Sequence, residues 1–296
     1  MVERTSVSRV IFNIINYAFM VLVAFVCVIP LWHVIMASIS DPRSLMASSG
    51  ILFVPAGSVT LKGYQLVLSN SKILTGYANT LIYVGATTVI GAVMTLIAGY
   101  VLSRKNMKAK GFMTMFVVIT MLFGGGLIPT YMVIRSLGMI NTRWAMIFPG
   151  VINAFYIIMM KNAFEQLPVS YEEAALIDGA RPMTILVEIL VPMVKATIAV
   201  VVMFNIVLQW NSWYPASIYL TGRRDLWPLQ MIMREVLVQN DSAKVLSGTD
   251  AAAKADMTNN LVKYCTTVVG TLPVLLAYPF AQKYFVTGIT LGGVKG

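Results

Sequence analysis

Long apolar stretches, nearly free of charged residues, alternate with shorter polar segments along the whole chain. A helix needs about 20 mainly apolar residues to cross roughly 30 Å of hydrocarbon. Six stretches meet or approach that length, and they predict an all-α polytopic membrane fold with six spanning helices. The predicted spans are residues 11–38, 77–103, 111–135, 144–166, 193–217 and 261–283.

Composition agrees with this pattern and excludes soluble classes of protein. The 296-residue chain is 58% hydrophobic and only 11% charged, whereas an average soluble domain carries roughly a quarter charged residues. The net charge is +10, but the cations are scattered between apolar segments. Such cations are typical of loops at an anionic lipid surface, so we expect no nucleic-acid partner. Cys27 and Cys265 lie in apolar segments and are predicted to be small buried hydrophobes.

Cation density favours one orientation of the spans. The number of Lys and Arg is equal on the two predicted sides, but four of them lie close together in the short segment 104–110. Short loops rich in cations stay on the cytoplasmic side, so we predict cytoplasmic N- and C-termini. The outer loops are then residues 39–76 and 218–260, with short helices expected near 61–68 and 226–238.

The remaining long loop, residues 167–192, contains a helix signal with a defined start and stop. Ser170 followed by Glu173 forms the pattern of a capping box, which predicts a helix beginning at Tyr171. Gly179 fits a left-handed stop, and a second helix is expected to run up to Pro192. Small residues after Glu173 leave a flat face for another protein, although an ordinary loop helix can share these features.

The full pattern of this loop is more specific. Glu173-Ala174-Ala175, three residues, Gly179, nine residues, then Ile189-x-Val191-Pro192 resembles the cytoplasmic EAA loop of the membrane subunits of bacterial ABC importers. That family usually has Leu where this chain has Val191. The resemblance implies a cytoplasmic coupling helix that docks into a cleft on an ATPase subunit. The implied coupling residues are Glu172, Glu173, Ala174, Ala175, Asp178, Gly179 and Pro192.

Other segments resemble the carbohydrate branch of these permeases. They are Asn79-Thr80-Leu81, Leu102-Ser103-Arg104, Ile128-Pro129-Thr130-Tyr131, residues 137–142 and the maltose-permease-like tail 288–296. The run Gly124-Gly125-Gly126 resembles lipoprotein-associated and alginate-type permeases of oligo- and polysaccharides. The resemblance implies one transmembrane domain over residues 1–296 in a bacterial inner or plasma membrane. It also implies four kinds of partner: a second homologous permease, two cytoplasmic ATPase subunits, an external solute-binding protein and a carbohydrate substrate.

The sequence has no nucleotide site of its own. No G-x-x-x-x-G-K-[ST] loop occurs, and this loop is what cradles phosphates in such ATPases. We therefore expect no cofactor or metal on this chain, with ATP and magnesium held by the partner ATPase. On this basis the chain is predicted to be a transporter subunit and not an enzyme.

Polar and aromatic residues inside the predicted spans are candidates for the substrate path. Asn205, Gln209 and Trp213 are spaced by four and would share one face of a continuous helix. Asn153 and Tyr156 are three apart in the fourth span. Sugars are bound by hydrogen bonds and aromatic faces, but hydrogen bonding between helices and an interfacial aromatic belt are the alternative.

Three other functions stay open at this stage. An ABC importer for a non-sugar solute would share the EAA loop. An ion-driven secondary transporter would normally need an ionisable residue in mid-membrane, and the apolar stretches argue against it. An intramembrane enzyme would need convergent nucleophile, base or metal groups, and His33 is the single histidine.

Overall fold

The computed structural model describes residues 7–243 and 250–293, and the side chains of residues 7–237, 258–279 and 282. Within these residues the chain is helical, with no strand. The helices are α1 (Val7–Ser38), α2 (Pro42–Ala47), α3 (Lys62–Leu68), α4 (Ser71–Ser103), α5 (Lys110–Leu122), α6 (Leu127–Ser136), α7 (Trp144–Val151), α8 (Ala154–Glu165), α9 (Ser170–Ile177), α10 (Pro182–Thr184), α11 (Val191–Met193), α12 (Lys195–Trp210), α13 (Trp213–Tyr219), α14 (Leu229–Ala243) and α15 (Asp250–Gly293). A π-helical segment, Ile185–Leu190, joins α10 to α11.

Candidate membrane spans take two forms in the described part of the chain. Three are single helices: α1, α4 and Thr258–Pro279 within α15. Three are bent pairs: α5 with α6 at 111°, α7 with α8 at 41°, and Pro182–Met193 with α12 at 82°. The described helices therefore provide three spans, or up to six when each bent pair counts as one.

The chain divides into two compact units, Met1–Ser71 with Glu235–Thr271 and Lys72–Arg234 with Leu272–Gly296. In the first unit, side chains of α1 fix the segment that follows it. The Trp32 indole donates to the Phe53 carbonyl at 2.9 Å, and His33 Nδ1 accepts from the Leu52 N–H at 3.0 Å. The lone histidine thus binds the backbone of its own chain. Cys265 is buried as predicted, but Cys27 is exposed, and the buried residues of α1 are Ala37 and Ser38 at its end.

In the second unit, glycines of α4 bring helix backbones close together. A Cβ atom at Gly91 would lie 2.6 Å from the Val151 carbonyl oxygen, and one at Gly99 would lie 2.7 Å from the Met160 Cβ. Small residues allow this kind of close packing between membrane helices. The position of α4 against α7 and α8 therefore depends on these two residues having no side chain.

The third predicted span is not one straight helix. We call residues Gly124–Gly126 the glycine elbow; it separates α5 from α6, which are bent by 111°. Gly126 has φ +82°, a conformation that L side chains rarely adopt. The apolar pattern of 111–135 gave the correct residues for a helical region but missed this break.

Residues of α4 also hold the segment that precedes α14. Asn79 Nδ2 donates to the Asp225 carbonyl at 2.8 Å, and the Tyr83 hydroxyl donates to the Leu226 carbonyl at 2.7 Å. The two accepting carbonyls belong to a short 3₁₀ turn, Arg224–Leu226. Because this turn precedes it, α14 begins at Leu229, three residues later than the sequence indicates. Part of the predicted outer loop 218–260, residues 244–249, lies outside the described residues, as do the end and the side chains of the predicted tail 288–296.

Candidate functional site

The predicted loop helix is present as α9, but its start differs from the prediction. The helix begins at Ser170, and Val169 at the N-cap makes no side-chain hydrogen bond. The first turn closes on backbone carbonyls instead, since the Glu172 N–H donates to Val169 at 3.0 Å. Ser170 is already inside the helix, so the predicted capping box is wrong.

The predicted stop at Gly179 is confirmed. Its φ is +76°, in the left-handed region. The Ala180 N–H donates to the Ala175 carbonyl at 2.9 Å, and the Gly179 N–H donates to the Leu176 carbonyl at 3.1 Å. This pair of bonds is a Schellman motif, which satisfies the last carbonyls of a helix. Further along, Pro192 lies inside α11, one residue before that helix ends.

One side of α9 packs on its own chain. Ala175 is only 6% exposed and lies in an apolar cluster with Phe164, Ile185 and Leu190. This position corrects the expectation that Ala174 and Ala175 together form a face for another protein. Ala175 is used for packing within the subunit, and Ala174 alone is exposed.

The other side of α9 is open and partly apolar. Tyr171, Ala174, Ile177 and Asp178 are exposed, and Ala174 is three or four residues from each of the others, which places the four on one side of the helix. Ile177 is 86% exposed. We call these four residues the outer stripe of α9. Glu173 is also exposed, next to the stripe.

Charged residues surround the base of α9. Glu172 forms an ion pair with Arg104, the first residue after α4. Glu165, at the end of α8, accepts from Lys110 at 2.6 Å and from Lys161 at 2.9 Å. A cavity of about 660 Å³ lies among these groups. Its lining includes Ser103, Arg104, Lys105, Asn106, Lys110, Phe164, Glu165, Leu167, Pro168, Val169, Glu172, Glu173, Leu176 and Leu190.

The two amides predicted for the substrate path lie between helices. Asn205 and Gln209 share a face of α12 and are 5% and 4% exposed. Gln209 Nε2 donates to the Met146 carbonyl of α7 at 2.9 Å. Asn205 lies against Gly91 of α4, where an added Cβ would be 2.9 Å from its Nδ2. In this conformation both amides join α12 to neighbouring helices.

Trp213 does not share that face, because α12 ends at Trp210 and α13 begins at Trp213. Pro215 has no N–H to donate to the Asn211 carbonyl, and in a continuous helix the proline ring would clash with that carbonyl. Both effects favour a break between Trp210 and Trp213. The guanidinium of Arg234 lies 4.1 Å from the centre of the Trp213 ring. Half-exposed Tyr214 meets the same ring edge-on, at 5.6 Å between centroids.

The other two candidates have different local roles. Asn153 is the N-cap of α8, where its Oδ1 accepts from the Phe155 N–H at 2.9 Å. Tyr156 is 7% exposed and stacks on Phe204 of α12, with 6.4 Å between ring centroids. They therefore do not share a helical face, since Asn153 lies before the helix begins.

Replacing Gln209 by leucine tests what this amide does. The change removes the side-chain donor to a buried carbonyl, which should lower the free energy of unfolding by about 1–3 kcal/mol. Thermal unfolding of the purified chain in detergent measures this loss. Asn211→Leu is the matched control, because exposed Asn211 bonds only within its own turn, to Val207 at 2.8 Å. A Gln209→Leu chain that is fully stable but inactive in transport would favour direct substrate contact.

The apolar helices and the bent pairs define a class: the chain is an integral membrane protein. Similarity to known proteins then gives the family. The chain is 35% identical over 294 residues to the polygalacturonan/rhamnogalacturonan transport system permease YtcP of Bacillus subtilis strain 168, covering 97% of this chain and 99% of YtcP. It is 33% identical to the protein LplC of the same organism, covering 99% and 98% of the two chains.

This chain belongs to the carbohydrate ABC transporter permeases, as the EAA loop and the other sequence segments indicated. A crystal structure of a bacterial ABC transporter that imports the acidic polysaccharide alginate contains a similar chain. The TM-score is 0.84 at 28% identity, over 95% of this chain and 99% of that one. No family model matches the sequence.

Proposed function

We propose that this chain forms half of the translocation path of an ATP-driven importer, and that the imported solute is an acidic oligosaccharide or polysaccharide fragment. The relatives support the substrate class, since YtcP is named for polygalacturonan and rhamnogalacturonan and the structural neighbour for alginate. All three polymers contain sugar acids. The membrane is a bacterial inner or plasma membrane, with both termini and α9 on the cytoplasmic side.

The observation that carries the coupling role is the outer stripe of α9. A helix anchored by buried Ala175 and ended by Gly179 leaves Ile177 almost fully exposed. Tyr171 and Ile177 present exposed apolar surface on either side of Ala174, which suits contact with another protein. The proposed occupant is the cleft of an ATPase subunit, which holds ATP and magnesium. Exposed Glu173 and Asp178 would bind polar groups of that cleft.

Transport follows from movement of this docked helix. Two ATPase subunits close around ATP and carry α9 with them, and the spans of this chain and of a second related permease tilt in response. Such domain rotation exchanges an inward-open for an outward-open state. A solute-binding protein delivers the sugar to the outer loops 39–76 and 218–260.

Aromatic and polar groups of α12 and α13 border the proposed path. Trp213 and Tyr214 offer apolar ring faces to sugar rings. Asn205 and Gln209 hold α12 in place and come into the path when the helices separate. Asn153 caps the start of α8, and Tyr156 packs that helix on Phe204 of α12.

Reconstitution tests the proposal. The complex contains this chain, its second permease and its ATPase subunits in proteoliposomes, with the solute-binding protein added outside. We expect uptake of galacturonate oligosaccharides that requires ATP inside and stops when hydrolysis is blocked. Uptake driven by a proton or sodium gradient without ATP would contradict the proposal. ATP-dependent uptake of a non-sugar solute alone would contradict the substrate class.

A further inference from the structure

Arg104 and Glu172 are far apart in the sequence but form an ion pair where α4 ends and α9 begins. Their side chains are only 25% and 23% exposed. Charges that are partly shielded from water interact more strongly than charges on an open surface. The pair is therefore a defined contact between the end of a spanning helix and the exposed helix of the coupling loop.

Arg104 is also fixed by its own helix. Its guanidinium lies 4.5 Å from the centre of the Tyr100 ring, and its Nη2 donates to Ser103 Oγ at 3.0 Å. Tyr100 in turn meets Phe164 of α8 edge-on at 5.8 Å. An arginine can stack on an aromatic ring and donate several hydrogen bonds at once, which a lysine cannot reproduce.

Packing joins these two elements only through a shared apolar cluster, which contains Ala175 of α9 and has Leu96 and Tyr100 of α4 packed against it. The cavity of about 660 Å³ is lined both by residues 103–106 and by residues of α9. Apolar contact holds α9 on its other side, through Ala175 in the cluster with Phe164 and Leu190. The ion pair thus bridges a region that side chains do not fill.

We infer that Arg104 and Glu172 act as a brace that carries the movement of α9 to the end of α4. Both are positioning residues, since neither touches substrate or nucleotide. The inference rests on the proposed function and refines it. The family resemblance implied that Glu172 contacts the ATPase, whereas the brace assigns Glu172 to a contact within this chain. Glu173 and the outer stripe are left to face the ATPase.

Loss of the brace has a specific consequence. The outer stripe stays intact, so ATPase subunits still bind and still hydrolyse ATP. The end of α4 follows the movement of α9 less completely, because the cavity leaves room for α9 to move alone. The complex should therefore use more ATP for each sugar molecule imported.

Charge reversal in the reconstituted complex tests the brace. The variants are Arg104→Glu, Glu172→Arg and the double exchange, and the readouts are ATPase co-purification and uptake of galacturonate oligosaccharide per ATP hydrolysed. We expect each single variant to retain the ATPase and to lose about tenfold in uptake per ATP, the size of a typical coupling between sites. In the double exchange, uptake per ATP should recover to within about threefold of the wild-type value. Arg104→Gln replaces Arg104→Glu if charge reversal prevents insertion.

Lys108→Glu is the matched control. It makes the same charge change in the same loop between α4 and α5, but Lys108 is exposed and is not part of the cavity lining. Its uptake per ATP should equal that of the wild type. Single variants with wild-type uptake per ATP, or a double exchange no better than either single variant, would overturn the brace. A wild-type complex that binds no ATPase would instead contradict the proposed function.

Discussion

Replacing Ile177 by aspartate should detach the ATPase subunits and abolish ATP-driven uptake. Ile177, in the outer stripe, is 86% exposed, and the proposed cleft would cover it. Loss of an apolar contact that the cleft buries costs about 2–4 kcal/mol of binding free energy, and a buried unpaired charge adds to that loss. We therefore expect affinity for the ATPase to fall by roughly 30-fold to several hundred-fold. Co-purification and titration of the purified ATPase measure the change.

Ile177→Val is the control for this prediction. Valine keeps an apolar, β-branched side chain at the same position, so ATPase binding should stay within about fivefold of the wild type. Membrane insertion should be unaffected in both variants, because Ile177 packs on little of its own chain. Normal ATPase binding by Ile177→Asp would show that the outer stripe is not the docking surface.

Replacing Gly91 by alanine should give the largest loss of stability among small substitutions in α4. The added methyl group would lie 2.6 Å from the Val151 carbonyl oxygen and 2.9 Å from Asn205 Nδ2. A backbone carbonyl cannot turn away as a flexible side chain can, so α4 and α7 must move apart. Overpacking of this kind costs about 1–3 kcal/mol. The midpoint of thermal unfolding in detergent reports the loss.

Gly85 of the same helix gives the matched comparison. An added Cβ there meets nothing within 4 Å, so Gly85→Ala should change the free energy of unfolding by no more than about 0.5 kcal/mol. Its unfolding midpoint should lie at or above that of the wild type, since alanine favours a helix. Equal stability of the Gly91 and Gly85 variants would mean that α4 does not approach α7 this closely.

Helical regions were largely predictable because hydropathy and helix length are local properties. Breaks inside those regions were harder to predict. Gly124–Gly126 shows in the sequence as three glycines, but nothing local says that the chain turns by 111° there. Pro215 is visible too, and its missing N–H disfavours a continuous helix in that region. Because α1 continues through Pro30 and α15 through Pro273, a proline alone does not predict that α12 stops at Trp210.

Around α9, the sequence predicted the structure correctly where a single residue determines the backbone conformation. Gly179 takes the left-handed conformation that its position suggested. The capping box failed because the Ser170 hydroxyl competes with backbone carbonyls for the N–H groups of the first turn. Those N–H groups donate to the carbonyls of Pro168 and Val169 instead. The two alanines look equivalent in the sequence, and only tertiary packing makes Ala175 a core residue.

Contacts across the chain could not be predicted from one sequence. Arg104 and Glu172 each lie in a segment with a recognisable sequence pattern, yet no local pattern pairs them. The π-helical segment Ile185–Leu190 is a second example. Its buried residues are Ile185, Leu186 and Leu190, and no sequence pattern in this segment predicts i→i+5 hydrogen bonds in place of an ordinary α-helix.

The glycine elbow restricts what can surround this chain in a bilayer. Residues 123–126 lie outside any helix. The Phe123 N–H donates to the Ile119 carbonyl and the Gly126 carbonyl accepts from the Thr130 N–H, but the peptide groups between them lack the hydrogen bonds that a helix supplies to itself. Hydrocarbon offers no substitute, and each unsatisfied group there costs several kcal/mol. If the elbow lies at membrane depth, it must face either water or another polypeptide. A single copy of this chain, surrounded only by acyl chains, would therefore be an incomplete structure.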